Sequence, residues 1–204
     1  MEFQVTSQGQ PGGLAFRRLS LTSVDAAAKL CDRCVGKNLY PYTYLASVLE
    51  NPEHFFYLLV TAEEEAVGYI YFFLTGLEEM AALSKLPRER LAMISEREAP
   101  VIGNLQSIGV TEAWRRHGLS EQLVGFYLEQ LQQCLLADAA FGVFWKPEGH
   151  VPMEKTLKAF GFRHLEDAHR VWYDKEDLIC PYCRGRCACD GAVYYKPIRK
   201  EATK

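Results

Sequence analysis

The segment at residues 108–124, IGVTEAWRRHGLSEQLV, places the tightest constraint on how this chain of 204 residues folds. A strand ends at Val110, a short polar loop with two arginines follows, and a long helix begins after Gly118. From Leu119 to Leu135 apolar residues recur every three or four positions, which predicts one amphipathic helix. A strand that leads directly into such a helix favours a layered α/β architecture.

The other patterns predict a mixed sheet with helices on both faces, an α/β fold. Strands are predicted at residues 14–20, 54–62, 66–76, 101–110, 139–145, 170–178 and 192–198. Helices are predicted up to residue 35 and at 42–49, 119–135 and 152–160. The aromatic and branched residues at 54–62 and 66–76 are separated by an acidic turn, which indicates a hairpin.

One domain of this composition is expected, since 204 residues with 49% hydrophobic content can bury one sizeable core. We assign it to residues 14–198, after a flexible leader at 1–13 and before a basic tail at 199–204. Within it, residues 76–100 are a helical insertion that covers one edge, and residues 180–191 are a cysteine-rich loop.

The charge balance excludes several classes of partner. The chain has 26 acidic and 23 basic residues and a net charge of −3, which argues against binding nucleic acid or membranes through bulk electrostatics. No apolar run reaches the roughly 18 residues of a spanning helix, and the N-terminus shows no signal pattern. A cytoplasmic protein is therefore expected, with a homodimer left open.

The loop before the long helix has the features of an anion site. Helix N-termini present unpaired N–H groups and the positive end of the helix dipole. Arg115 and Arg116 add positive charge, and Gly118 lets the backbone approach a ligand closely. The alternative is a plain strand-to-helix turn with solvated arginines.

The sequence VTEAWRRHGLS resembles motif A of the GNAT superfamily of acyl-CoA-dependent N-acyltransferases. The motif positions are occupied by Val110, Trp114, Arg115, Gly118 and Ser120. KAFGF at 158–162 is similar to the close of the family's motif B. The predicted element order also matches that of the family from residue 14 to about residue 198.

The resemblance implies transfer of an acetyl group from acetyl-CoA to a primary amine of a small molecule or peptide, by direct attack in a ternary complex. It implies that backbone amides from Arg116 to Ser120 hold the pyrophosphate. Ile108 and Val110, beside a bulge near Gly109, would pair with the pantetheine arm. The implied cofactor-binding residues are Ile108, Val110, Arg115, Arg116, His117, Gly118, Leu119 and Ser120.

The usual proton-transfer groups of the family are missing. Leu157 stands where many members have a Tyr that acts as the general acid. Asn104 stands where some members have a Glu that acts as the general base. His150 and Tyr173 are the candidate replacements. Because of these departures, a non-catalytic acyl-CoA-binding or sensing module is the alternative function.

Four of the seven cysteines form a C-x2-C-x3-C-x-C pattern within CPYCRGRCACDG. They are Cys180, Cys183, Cys187 and Cys189. Four thiolates suit one structural Zn(II). The alternatives are an iron–sulfur cluster and free cysteines that bind no metal. Cys31 and Cys34 are alternative ligands, since the resemblance implies that their loop faces the cysteine-rich loop across the acceptor site. Cys134 is expected to be buried in the long helix.

Overall fold

Seven strands form one mixed sheet within residues 13–198, the part of the chain that this computed structural model describes. The strands are β1 (Ala15–Arg18), β2 (His54–Val60), β3 (Ala66–Thr75), β4 (Ile102–Val110), β5 (Ala139–Lys146), β6 (Arg163–Ala168) and β7 (Asp190–Pro197). The helices are α1 (Val24–Val35), α2 (Tyr42–Val48), α3 (Leu77–Ser84), α4 (Arg88–Leu91), α5 (Leu119–Glu129) and α6 (Glu154–Ala159). The spatial order is β1-β2-β3-β4-β5-β7-β6, and only β4 and β5 pair in parallel.

The expected leader and basic tail fall outside this description, apart from the exposed Gly13. In the described residues, no helix combines the length and apolarity needed to cross a membrane.

The central strands are apolar on both faces because helices cover both faces. In β3, Tyr69, Tyr71 and Phe73 pack in the cluster that includes α1 and α2, whereas Ile70 and Phe72 pack in the cluster that includes α5. α6 joins α5 on its side of the sheet. This double coverage explains why the strands read as continuous apolar runs, and it confirms the predicted mixed sheet with helices on both faces.

The insertion at 76–100 forms α3, α4 and a short 3-10 turn. Met80 and Leu91 are buried in a cluster with Phe141 of β5 and Val193 of β7. Arg90 also pairs with Glu166 of β6 at 2.8 Å. The insertion therefore covers a face of the second half of the sheet and reaches its edge strand.

The strand predicted at 170–178 is wrong, because that segment is mainly turns. The strand is β6, which starts just after Gly161 ends α6 in the left-handed region, with φ +77°. Its sequence RHLEDA is largely polar, as edge strands often are, so no apolar pattern marks it. Trp172 of the turn segment instead packs against Trp145, with ring centroids 5.4 Å apart.

The helix predicted at 119–135 is confirmed as far as Cys134, but its second half is not α-helical. α5 ends at Glu129, and Gln130–Cys134 form a π-helical turn. A π turn widens the helical repeat and so shifts which residues face the sheet. Cys134, which was expected to be buried, is exposed.

Candidate functional site

A cavity opens where β4 and β5 separate. The two strands pair only through Ile102 with Ala139, Gly103 with Ala140, and Asn104 with Phe141. Beyond Asn104 they diverge, and the gap between them widens into a cavity of about 530 Å³. This volume lies in the range of roughly 300–1,000 Å³ that is usual for small-molecule sites.

A β-bulge lies in the cavity wall at Gln106. This residue is the extra one in β4, between the partners of the consecutive β3 residues Tyr71 and Phe72. A bulge inverts the alternation of side chains, so Leu105 and Ile108 both face the α5 side. The bulge expected near Gly109 therefore lies three residues earlier.

Gly109 has a packing role instead. A Cβ at this position would lie 2.7 Å from the Cβ of Cys34. The glycine thus allows α1 to pack directly against β4, and it brings the end of α1 to the cavity.

The peptide groups of Ile108 and Val110 turn towards the open side of β4. The N–H of Thr111 donates to the carbonyl of Val67 at 2.9 Å, so Thr111 forms part of the β3 ladder. Successive residues in such a ladder alternate their hydrogen-bonding direction. In agreement, the Val110 carbonyl accepts a hydrogen bond from Arg115 Nε at 3.2 Å. An extended ligand with amide groups can therefore pair with this free edge.

The turn before α5 opens its first N–H groups to the same cavity. Gly118 precedes the helix with φ +74°, and Arg116 is also left-handed, with φ +66°. A Cβ at Gly118 would meet only Glu121 Oε2, at 3.9 Å, so the backbone conformation rather than crowding favours glycine. A helix N-terminus after such a turn is suited to an anion.

The structure brings together most of the residues implied as cofactor-binding. Those that line the cavity are Ile108, Val110, Arg115, Arg116, Gly118, Leu119 and Ser120. His117 is exposed and does not line it.

Aromatic residues form the opposite wall. Trp145 of β5 packs against Trp172 at 5.4 Å and against Tyr182 at 6.0 Å between ring centroids. Tyr40, from the segment after α1, completes this wall, whereas Tyr42 and Tyr44 do not line the cavity. No sequence pattern predicts Trp145, Trp172 or Tyr182 in the site, since no regular spacing links them.

The segment after α1 is joined to the residues that lead into the cysteine-rich loop. The N–H of Ile179 donates to the Lys37 carbonyl at 3.1 Å, and Asn38 Nδ2 donates to the Asp177 carbonyl at 3.2 Å. The two segments are thus in direct contact, and the cavity is lined by residues from both sides of this contact, such as Tyr40 and Tyr182.

The four cysteines of the later loop converge. Their Sγ atoms all lie within 4.8 Å of one another, with Cys180 and Cys183 at 3.9 and 3.5 Å from Cys189. Cys183 is exposed, and the other three are buried. Neither Cys31 nor Cys34 belongs to this group. The structure therefore favours the local donor set.

The surroundings raise the pKa of one of these thiols and lower the pKa of another. Burial raises the pKa of Cys187 to about 11. The backbone N–H of Ala188 lies 3.4 Å from Cys183 Sγ, and this hydrogen bond is the main reason why the pKa of Cys183 is lowered. Four thiols at this spacing fit a soft divalent metal ion, because a bound cation would favour their thiolate forms.

The proton-carrying side chains at the cavity differ from those expected. His150 is exposed, Tyr173 lies in a turn beneath Arg186, and neither lines the cavity. Leu157 is fully buried in the core beside α5. No described group of the family's usual kind therefore replaces the missing Tyr from α6.

Cys34, Tyr40 and Tyr182 do line the cavity. Burial raises the pKa of Cys34 to about 11 and also raises the pKa of Tyr40, whose hydroxyl lies 3.4 Å from the Gln106 carbonyl. Burial raises the pKa of Tyr182 as well, but its hydroxyl has no hydrogen-bond partner within residues 13–198. Tyr182 is thus the hydroxyl that is free to meet a ligand.

No protein-family model and no curated protein matches this sequence. NAA60 from Arabidopsis thaliana in complex with a bisubstrate analogue has a similar structure, with a TM-score of 0.69 at 12% identity over 92% of this chain and 99% of that one. The GNAT-like decarboxylase GphF with isobutyryl-CoA gives 0.64 at 19% identity over 90% and 99%. The chain has the GNAT fold. The ribosomal-protein-S18-alanine N-acetyltransferase from Escherichia coli shares it, with a TM-score of 0.62 at 13% identity over 94% and 97%.

Proposed function

We propose that the protein is an N-acetyltransferase that uses acetyl-CoA and acts on a primary amine by direct attack in a ternary complex. The amine nitrogen attacks the thioester carbon, the C–N bond forms, and the C–S bond breaks as CoA leaves as a thiolate. The nitrogen loses one proton in this step, and the thiolate gains one, so that an amide and free CoA thiol are the products. The observation that carries the proposal is a single cavity that joins the free edge of β4 to the N-terminus of α5. NAA60, which shares the fold, has also been solved with acetyl-CoA.

The backbone supplies the proposed cofactor contacts. Peptide groups of Ile108 and Val110 pair with the amides of the pantetheine arm, and N–H groups from Arg116 to Ser120 hold the pyrophosphate. A donor on β4 that polarises the thioester carbonyl would stabilise the oxyanion of the transition state by roughly 3–4 kcal/mol. The free hydroxyl of Tyr182 is the group we assign to return a proton to the departing thiolate.

We also assign one structural Zn(II) to the four clustered cysteines. With Zn–S bonds of about 2.3 Å, sulfur atoms at the corners of a tetrahedron are roughly 3.8 Å apart. The separations of 3.9 Å for Cys180 to Cys189 and 3.5 Å for Cys183 to Cys189 are close to that value. Four thiolates leave no open position, so the ion would hold the loop rather than act on substrate.

Titration calorimetry with acetyl-CoA tests the cofactor site. We expect Gly118→Trp to abolish binding, because an indole at this position fills the approach to the N-terminus of α5. Gly118→Asn is the matched control, since Asn tolerates a left-handed backbone, and it should change the Kd by less than about fivefold. A wild-type protein that binds no acetyl-CoA, or a Gly118→Trp variant that binds normally, would contradict the proposal.

A non-catalytic acyl-CoA-binding module is the second candidate, because Leu157 replaces the family's acid and is wholly buried. The two candidates differ in the release of free CoA thiol from acetyl-CoA when amines are added. Amine-dependent release, detected with a thiol reagent, would exclude the binding module.

A further inference from the structure

Arg115 is held at the end of β4 by one of its three guanidinium nitrogens. Its Nε donates to the Val110 carbonyl at 3.2 Å, so the side chain folds back over the end of β4. Its two terminal nitrogens make no hydrogen bond or ion pair with any residue in 13–198. The guanidinium therefore lines the cavity, and its terminal nitrogens have N–H donors available for a ligand.

The charge of Arg115 acts on the end of α1. Burial is the main influence on the pKa of Cys34, a residue of α1, and Arg115 opposes it by favouring the anionic form. Arg115, Cys34 and Tyr182 of the cysteine-rich loop all line the same cavity. The guanidinium thus shares the cavity with residues from both elements that border the acceptor side.

The cavity has few negatively charged groups that could bind a second positive charge on the acceptor. Glu121 is the only carboxylate among the described residues that line it. Its two oxygens lie 3.1 Å from Ser120 Oγ and 3.3 Å from Thr156 Oγ1, at the start of α5 and therefore at the cofactor end. The remaining acceptor wall is aromatic, from Tyr40, Trp172 and Tyr182.

We propose that the acceptor is a small amine that carries a carboxylate, of the amino-acid type, and that Arg115 determines this specificity. This rests on the proposed acetyltransferase function. The terminal nitrogens of Arg115 bind the carboxylate in the two-pronged geometry that guanidinium favours. The bound carboxylate then holds the amine between the aromatic wall and the free edge of β4, where the thioester is placed. Polyamines and aminoglycosides lack the carboxylate and bring extra positive charge towards Arg115.

Matched pairs of amines test the substrate class. Glycine and glycinamide, and L-alanine and L-alaninamide, differ in the carboxylate but keep the amine. For each pair, binding is measured by calorimetric titration into the CoA-loaded protein. The initial rate of CoA release from acetyl-CoA is measured as well. Spermidine and an acidic peptide are tested in the same two assays. We expect the carboxylates to be preferred over the amides by roughly ten- to hundredfold, since a charge-assisted hydrogen bond is lost in each amide.

Two arginine variants separate this proposal from the cofactor site. Arg115→Gln should bring the ratio of carboxylate affinity to amide affinity close to one. The Kd for acetyl-CoA should change by less than about threefold. Arg116→Gln, in the neighbouring exposed arginine, should keep the preference. The proposal is overturned if the wild type binds none of the small carboxylates, or if it prefers the amides, spermidine or the peptide. It is equally overturned if Arg115→Gln weakens acetyl-CoA binding and leaves the preference intact. A wild type without acetyl-CoA affinity would instead remove the proposed function itself.

Discussion

The two walls of the cavity are held by different kinds of interaction. On one side, β4 is bonded to β3 along its whole length and leads into α5 through a turn whose shape is set by backbone dihedrals. On the other side, the loop between β6 and β7 has few backbone hydrogen bonds, such as that from the Cys180 N–H to the Gly185 carbonyl at 2.9 Å. Its four cysteine thiols converge, and the Zn(II) that we propose would cross-link them. The first wall is therefore an intrinsic part of the sheet, whereas the second would depend on the proposed metal, and we expect them to respond differently to mutation.

Loss of one cysteine ligand should produce the largest effect. We expect Cys180→Ser to remove the bound metal and to lower the free energy of unfolding by about 3 kcal/mol or more, as loss of a structural metal usually does. Acetyl-CoA should still bind within about threefold of the wild type, because the β4–α5 wall does not involve the loop. Elemental analysis should find one zinc per wild-type chain, with stability measured by urea denaturation.

Cys134→Ser is the matched control for this comparison. Cys134 is exposed and lies outside the cluster, so its replacement should change neither metal content nor stability. Equal behaviour of the two variants, or a coloured and iron-rich wild-type protein, would refute the zinc assignment. Simultaneous loss of acetyl-CoA binding in Cys180→Ser would show that the two walls are not independent.

Two glycine substitutions test how tightly each wall is packed. Gly109→Ala should destabilise the protein by about 1–3 kcal/mol, because the added methyl group would press on the buried ring of Tyr69 and on Cys34. Gly185→Ala should change stability by less than about 0.5 kcal/mol, since a Cβ there meets no atom within 4 Å. Urea denaturation of both variants measures the difference. Similar costs at the two positions would mean that the β4 wall is no more tightly packed than the loop.

The difference between the walls also explains what could be predicted from the sequence. The segment at 108–124 identified the strand, the turn and the N-terminus of α5, because glycine conformation and helical periodicity are local properties. The aromatic wall was not predicted, because Trp172 and Tyr182 reach the cavity through turns that show no periodicity. The side chain of Arg115 was assigned to phosphate from its position in the motif. Its contact with the Val110 carbonyl depends on the free edge of β4, which only the strand pairing reveals.

Cys34 lies where the two walls meet, so its chemical reactivity reports on both. The thiolate is the reactive form, and burial raises the pKa of Cys34 to about 11, although Arg115 acts in the opposite direction. At pH 8 we therefore expect alkylation by iodoacetamide to be roughly a hundredfold slower than in the unfolded chain, with a rate that rises until the pH approaches that value. Saturating acetyl-CoA should slow labelling of Cys34 further and leave the exposed Cys134 unaffected, as peptide mass spectrometry can measure. If the cofactor protects both cysteines or neither, it does not occupy this cavity, and the separation of the walls into a cofactor side and an acceptor side fails.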